Sequence, residues 1–280
     1  MSFQKILQSL CLFSFLLLSG CQKNTDGISS PEGYELAWSD EFVDEELDTS
    51  NWTPLIGNGS GGWGNNELEY YQKENATVKD GILSIEARKE HVANFSYTSA
   101  RLVTQRKVST TYGYIEARIK LPAQNAMWPA FWMLPENGSW PTSGEIDIME
   151  NKGSSAWTTS GALHYANAGG HTYAYKAHAF SQRNGDQNIE GWHTYAIEWS
   201  EDEIDWYVDG TNFFQVLKRV WHPDHGTVYT KDDSAPFNAP FHIILNLAIG
   251  GNFDSEHPAP DADFESATMQ VDYVRIFSKK

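Results

Sequence analysis

The chain has 280 residues, with 20 Lys and Arg against 37 Asp and Glu, a formal charge of −17 at neutral pH. Such a surface repels phosphate backbones and excludes nucleic acid as a natural partner, whereas an uncharged polymer would be indifferent to it. The 11 Trp, 13 Tyr and 14 Phe supply a large core and leave aromatic faces of the kind that grip sugar rings.

The N-terminus reads first as an export signal. Lys5 gives a short positive start, Ile6 to Leu18 is mostly apolar, and Leu18-Ser19-Gly20-Cys21 follows. The run is too short to span a bilayer comfortably and has the layout of a secretory signal. Its ending resembles the lipobox of bacterial lipoproteins, which implies cleavage after residue 20 and a lipid anchor on Cys21. The chain would then sit at a bacterial membrane, at the outer membrane or cell surface. The other cysteine, Cys11, would leave with the signal, so the mature chain would have no disulfide and would rest on its core alone. Residues 21–33 read as a polar tether, and residues 34–280 as one domain of a size that can bury such a core.

From Tyr34 onward, alternation of apolar and polar positions recurs. Ile82 to Arg88, Gly113 to Lys120, His193 to Trp199, Ile204 to Val208, Phe241 to Leu247 and Met269 to Phe277 read as strands. Ser200 to Glu203 reads as a hairpin loop between two of them. Phe213 to Arg219 is the only candidate for helix. Many short strands with Gly-rich turns imply an all-β fold, an antiparallel β-sandwich or jelly roll. One sheet of it can curve into a long cleft.

The chemistry concentrates in Gly144 to Asn151, GEIDIMEN. Glu145 and Asp147 share a strand face by the period of two, whereas Glu150 points to the other face of a regular strand. A β-bulge near Ile148 and Met149 would return Glu150 to the face of the other two acids. Alternatively, Glu150 opens the turn that follows and faces solvent. Chemistry favours the bulge: retaining cleavage of a glycosidic bond needs two carboxyls, a nucleophile and an acid/base, at close range. A third acid between them can keep their roles distinct. Three acids packed on a half-buried strand are costly if they do nothing but hold structure.

Glu145 to Glu150 resembles the signature of glycoside hydrolase family 16 in its longer, bulged form. Gly62 to Tyr71 (GWGNNELEYY), Trp128 to Pro135 (WPAFWMLP), Trp140 to Gly144 (WPTSG) and Gly161 to Tyr165 (GALHY) extend the match. So do Asn246 to Gly251 (NLAIGG) and Val271 to Arg275 (VDYVR). These flanks are most similar to the bacterial laminarinase branch, which cuts β-1,3-glucan and often mixed-linkage β-1,3/1,4-glucan. The resemblance implies Glu145 as nucleophile, Asp147 as assisting acid and Glu150 as acid/base. It implies His164 beside the reacting sugar, and Trp128, Trp132 and Trp140 as sugar platforms. Asn66 and Arg101 would bond hydroxyls further along the cleft. It also implies a structural calcium away from the cleft, held by the carbonyls of Glu41 and Gly81 and the carboxylate of Asp272; the reaction itself would need no cofactor. The chain is expected to work as a monomer on β-glucan.

Val220 to Pro240 is long and polar for this family. Its His222, His225 and nearby acids lack a zinc-ligand spacing and read as a solvated loop; if it borders the cleft, it bears on linkage preference. Three other readings share much of this pattern. One is a non-catalytic glycan-binding lipoprotein, which would not need three aligned acids. The others are a galactanase of agar-type polymers and a transglycosylase with sugar instead of water as acceptor.

Overall fold

The computed structural model of the protein describes residues 27–167, 170–221 and 235–280. The proposed signal, Cys21, the first half of the tether and most of the 220–240 loop lie outside these residues. Two sheets face each other. The outer sheet runs in the order Thr211–Leu217, Glu203–Val208, His193–Trp199, Gly113–Lys120, Ser266–Lys279, Ile82–Arg88, Tyr97–Ser99, Glu69–Tyr71. Tyr34–Asp40 and Ala76–Lys79 pair at its margins. The second sheet, which carries the acids, runs Gly170–Ala179, Thr158–Asn167, Glu145–Glu150, Met127–Pro135, Phe241–Ile249, Arg101–Val103, Thr53–Pro54. All these pairings are antiparallel except that of Glu69–Tyr71 with Tyr97–Ser99. The expected β-sandwich is therefore the fold.

Alternation explains which face each strand buries. In Gly113–Lys120, Ile115, Ala117 and Ile119 are fully buried and the residues between them are not. Phe241–Ile249 sits between two neighbours in the middle of the second sheet and is buried at every position. Trp52, Phe131, Trp199, Trp206 and Phe241 fill the space between the sheets. Burial of such rings is the main source of stability in a sandwich held by packing alone.

The candidate helical stretch Phe213 to Arg219 is instead a strand, Thr211–Leu217, followed by a single helical turn, Lys218–Trp221. The reason is the turn before it. Asp209 and Gly210 both adopt positive φ, 49° and 75°, as a two-residue hairpin turn requires. That turn folds Thr211–Leu217 back onto Glu203–Val208. The pairing overrides a weak helical pattern.

Candidate active site

The acid strand is bulged. Against Thr158–Asn167, Glu145, Ile146 and Asp147 pair with His164, Leu163 and Ala162, and the register then jumps to Glu150 opposite Ser160. On the other side, Trp132 opposes Asp147 and Phe131 opposes Met149, so Ile148 is the extra residue. Ile148 and Met149 are both buried, two successive residues turned to the core. Glu150 returns to the face of Glu145 and Asp147. A buried donor meets the bulge from the opposite sheet: the Trp206 indole N–H donates to the Asp147 carbonyl at 2.8 Å. Gly161 leaves room for that indole, since a Cβ there would lie 2.4 Å from Trp206 Cδ1.

The carboxyls sit in a cavity of about 340 Å³ with Trp63, Arg101, Trp128, Trp132, Trp140 and Asn246 among its walls. Trp128 Nε1 donates to Glu150 Oε1 at 3.0 Å. His164 directs Nε2 toward the acids, 3.3 Å from Asp147 Oδ2 and 3.8 Å from Glu145 Oε1. Its Nδ1 lies 2.9 Å from Nε2 of His171. Burial raises the pKa of Glu145 well above the ordinary carboxylate range, with Asp147 adding to it and His164 opposing. Burial and Glu150 raise Asp147 likewise. Glu150 rises by burial too, opposed by the Trp128 N–H and by His164. A cluster of this kind shares protons, and its titration belongs to the group.

Trp128 and Trp132 are four apart on one strand and half-exposed, whereas Met127, Phe131 and Met133 around them are buried. They form a wall of the cleft and not a core ladder. Trp128 stacks on Phe253, ring centres 4.8 Å apart. Arg101 lies between Trp63 and Trp132, 4.4 and 4.8 Å from their ring centres. Asn66 does not line the cavity; it has φ 59° and donates to Asn252 at 2.9 Å, and its neighbour Asn65 takes the place in the wall. The left-handed turn carries the Asn66 side chain outward.

Trp63, Glu67, Tyr71 and Asn246 lie in segments that carry the family resemblance, with no role read for them from the sequence. In the structure Glu67, Tyr71 and Asn246 join Asn65 and Trp132 in one hydrogen-bonded chain, while Trp63 packs on Arg101 beside it. Asn65 and Tyr71 donate to the Glu67 carboxylate at 3.0 Å each, Asn246 donates to the Tyr71 oxygen at 3.2 Å, and Trp132 donates to Asn246 Oδ1 at 2.7 Å. The chain fixes the Trp132 indole from behind. Its members come from distant parts of the sequence, so the motif segments that contain them are the one sequence signal that marks them.

Glu41, Gly81 and Asp272 come to the outer sheet near Ser266–Lys279. Asp272 sits at a bulge between Val271 and Tyr273, Glu41 follows a strand paired there, and Gly81 lies in the turn into the neighbouring strand. Their donors are all oxygens, as calcium prefers. The Arg118 guanidinium already contacts the Asp272 carboxylate at 2.8 Å, so a cation there would share that carboxylate with it.

Three carboxyls aligned on one sheet face, the middle one buried and the outer two partly so, walled by half-exposed indoles and fronted by an imidazole, define a β-sandwich equipped to cleave polysaccharide. Residues 35–279 match the family model described as beta-porphyranase A-D, GH16 domain. Beta-glucanase of Rhodothermus marinus is 38% identical over 99% of this chain and 98% of its own length. Glucan endo-1,3-beta-glucosidase A1 of Niallia circulans is 37% identical over 89% of this chain, which spans only 38% of that relative's length. The laminarinase catalytic domain of Thermotoga maritima superimposes with a TM-score of 0.78 at 39% identity, covering 89% of this chain and all of that one. The chain belongs to glycoside hydrolase family 16.

Proposed function

We propose that this chain is a retaining endo-acting β-glucanase that cuts β-1,3-glucan and mixed-linkage β-1,3/1,4-glucan. The observation that carries the reading is the bulge at Ile148, which sets Glu145, Asp147 and Glu150 on one face. In the first step Glu145 attacks the anomeric carbon while Glu150 protonates the departing glycosidic oxygen, and a glycosyl ester forms on Glu145. In the second step Glu150 takes a proton from water, which attacks the same carbon and frees Glu145. Asp147, between them and buried, tunes where the shared protons rest. His164 supports Glu145 electrostatically from the neighbouring strand. These roles are the ones the family resemblance implies, and the shared face of the three acids supports them.

The Rhodothermus and Thermotoga similarities support a glucan substrate. The description of the matching family model favours a second reading, a galactanase of red-algal polymers. Incubation with laminarin, mixed-linkage glucan, agarose and porphyran, followed by sizing of early products, tests both. Rapid shortening of laminarin to a ladder of oligosaccharides is expected, and cleavage of a galactan alone would overturn the glucanase reading. The lipid anchor on Cys21 is part of the proposal and rests on Leu18 to Cys21. Cys21→Ser is expected to move the protein out of the membrane fraction with specific activity unchanged, and a variant that stays membrane-bound removes the anchor.

A further inference from the structure

Among the described residues, seven large hydrophobic side chains are exposed, and three of them, Trp140, Tyr173 and Tyr175, lie around the acids. Tyr173 and Tyr175 belong to Gly170–Ala179, which ends the second sheet. The register carries the cleft face out to them in two rows. Glu145 opposes His164, which opposes Tyr173; Asp147 opposes Ala162, which opposes Tyr175. Directly paired residues project from the same face of a sheet, so both phenol rings share the face of the acids. They are 64% and 49% exposed.

The first row is a continuous aromatic surface. Tyr173 lies 5.8 Å from the His164 ring at 27°, and His164 lies 5.2 Å from His171 at 20°. Trp140 closes on His171 at 4.7 Å. In the second row only the methyl of Ala162 stands between Asp147 and Tyr175, so the floor there stays low. Exposed rings on an edge strand are a liability for aggregation unless something uses them.

Trp128, Trp132, Arg101 and Asn246, with their indole and amide groups, occupy the strands on one side of the acids. The two strands on the other side span about 10 Å at ordinary strand spacing, and the tyrosines are the large side chains exposed there. We infer that Tyr173 and Tyr175 form the platform for the leaving portion of an uncharged glucan chain, extending the cleft to the sheet edge. This rests on the glucanase reading above.

The test separates the two halves of the cleft by substrate. Laminarin occupies both; laminaribiosyl β-fluoride has a single-atom leaving group and reaches only the half that keeps the sugar. Each aromatic contact contributes a factor of about 2 to 12. The double variant Tyr173→Ala, Tyr175→Ala is therefore expected to lose about tenfold or more in kcat/KM on laminarin, with a far smaller loss on the fluoride. Tyr173→Phe, Tyr175→Phe keeps the stacking faces and should restore most of the laminarin activity. Equal losses on both substrates, or no loss on laminarin, would overturn the platform. A wild-type protein that turns over neither substrate overturns the glucanase reading itself.

Discussion

The bulge that aligns the acids makes its own demand on the core, and Trp206→Phe is the substitution that probes it. Trp206 is fully buried on Glu203–Val208 and gives its indole N–H to the Asp147 carbonyl at 2.8 Å, one residue before the inserted Ile148. Phenylalanine keeps a ring against Phe214, 4.7 Å away in the native packing, but has no donor. Leaving a buried carbonyl unpaired costs about 1–3 kcal/mol, and the smaller ring leaves a void worth roughly 1 kcal/mol. A total near 2–4 kcal/mol lowers Tm by about 4–16 °C for a domain of this size and leaves it folded. The larger effect should be on turnover, because a carboxyl displaced by about 1 Å can lose on the order of a hundredfold in rate. Trp199→Phe is the control: that indole is equally buried but donates to the Phe237 carbonyl at 3.2 Å, away from the acids. Urea denaturation and laminarin turnover, measured on both variants, separate stability from alignment. The expected result is similar destabilisation of both, with kcat falling tenfold or more in Trp206→Phe alone. A Trp206→Phe variant that is destabilised but turns over at the native rate would show that the bulge does not depend on this bond.

Glu145→Gln and Glu150→Gln should each abolish cleavage of laminarin. With an activated β-linked leaving group, azide is expected to give the β-glycosyl azide in Glu150→Gln, by attack on the ester formed on Glu145, whereas azide standing in for the missing nucleophile of Glu145→Gln can give only the α-azide; the opposite configurations would reverse the roles. Asp147→Asn should be milder, and since the Asp147 charge raises Glu145, the acid limb of its kcat/KM profile is expected at lower pH than in the native protein. A limb that stays put or rises would contradict that coupling. Glu69 is buried with its pKa raised well above the ordinary range, first by burial and then by Glu67. The folded state therefore keeps a proton that the unfolded chain releases, and this contribution to stability falls as pH climbs from about 4.3 through the raised folded value. Glu69→Gln, which replaces the acid proton with an amide donor, should be more stable than native at pH 8 and nearly equal near pH 5; equal urea midpoints at both would refute it. Calcium at Glu41, Gly81 and Asp272, if bound, should raise Tm on titration into metal-stripped protein, and an unchanged Tm removes the site.

The cleanly alternating strands were legible because alternation is a local property. Gly113–Lys120 and Ile82–Arg88 have the residue bounds that their patterns predict. Arg101–Val103, three residues and all buried, carries no alternation to read. Phe241–Ile249 runs two residues beyond its predicted end because its partner Met127–Pro135 continues alongside. The weak helical pattern near Phe213 yielded to a two-residue turn, Asp209-Gly210, whose residues are those a hairpin turn requires. At the site, the bulge followed from chemistry: three acids in six residues made one register sensible. Asn66 was displaced by a single position, which is the scale on which a left-handed loop residue reverses a side chain. The Glu67, Tyr71, Asn246 and Trp132 chain, and the Tyr173 and Tyr175 rows, depend on which strands become neighbours. No local pattern states that.

The same arrangement explains how the fold tolerates buried acids at all. A strand with regular alternation would put Glu150 into the core opposite Pro129, between Met127 and Phe131, where an unpaired carboxylate is prohibitive. Inserting Ile148 exchanges one rung of the ladder for a third carboxyl in the cleft, and the rung's carbonyl is satisfied from the core by Trp206. Glu150 is then met by the Trp128 N–H, while Asp147 and Glu145 are met by His164. Asp147 Oδ2 is buried with the His164 ring nitrogen 3.3 Å away but makes no hydrogen bond of good geometry. The unsatisfied oxygen thus sits at the middle acid, between the two that bond to substrate in the proposed reaction. A shared proton relieves it in the free cluster, and a sugar hydroxyl arriving there would relieve it further, so filling the cleft lowers the cost of burying Asp147.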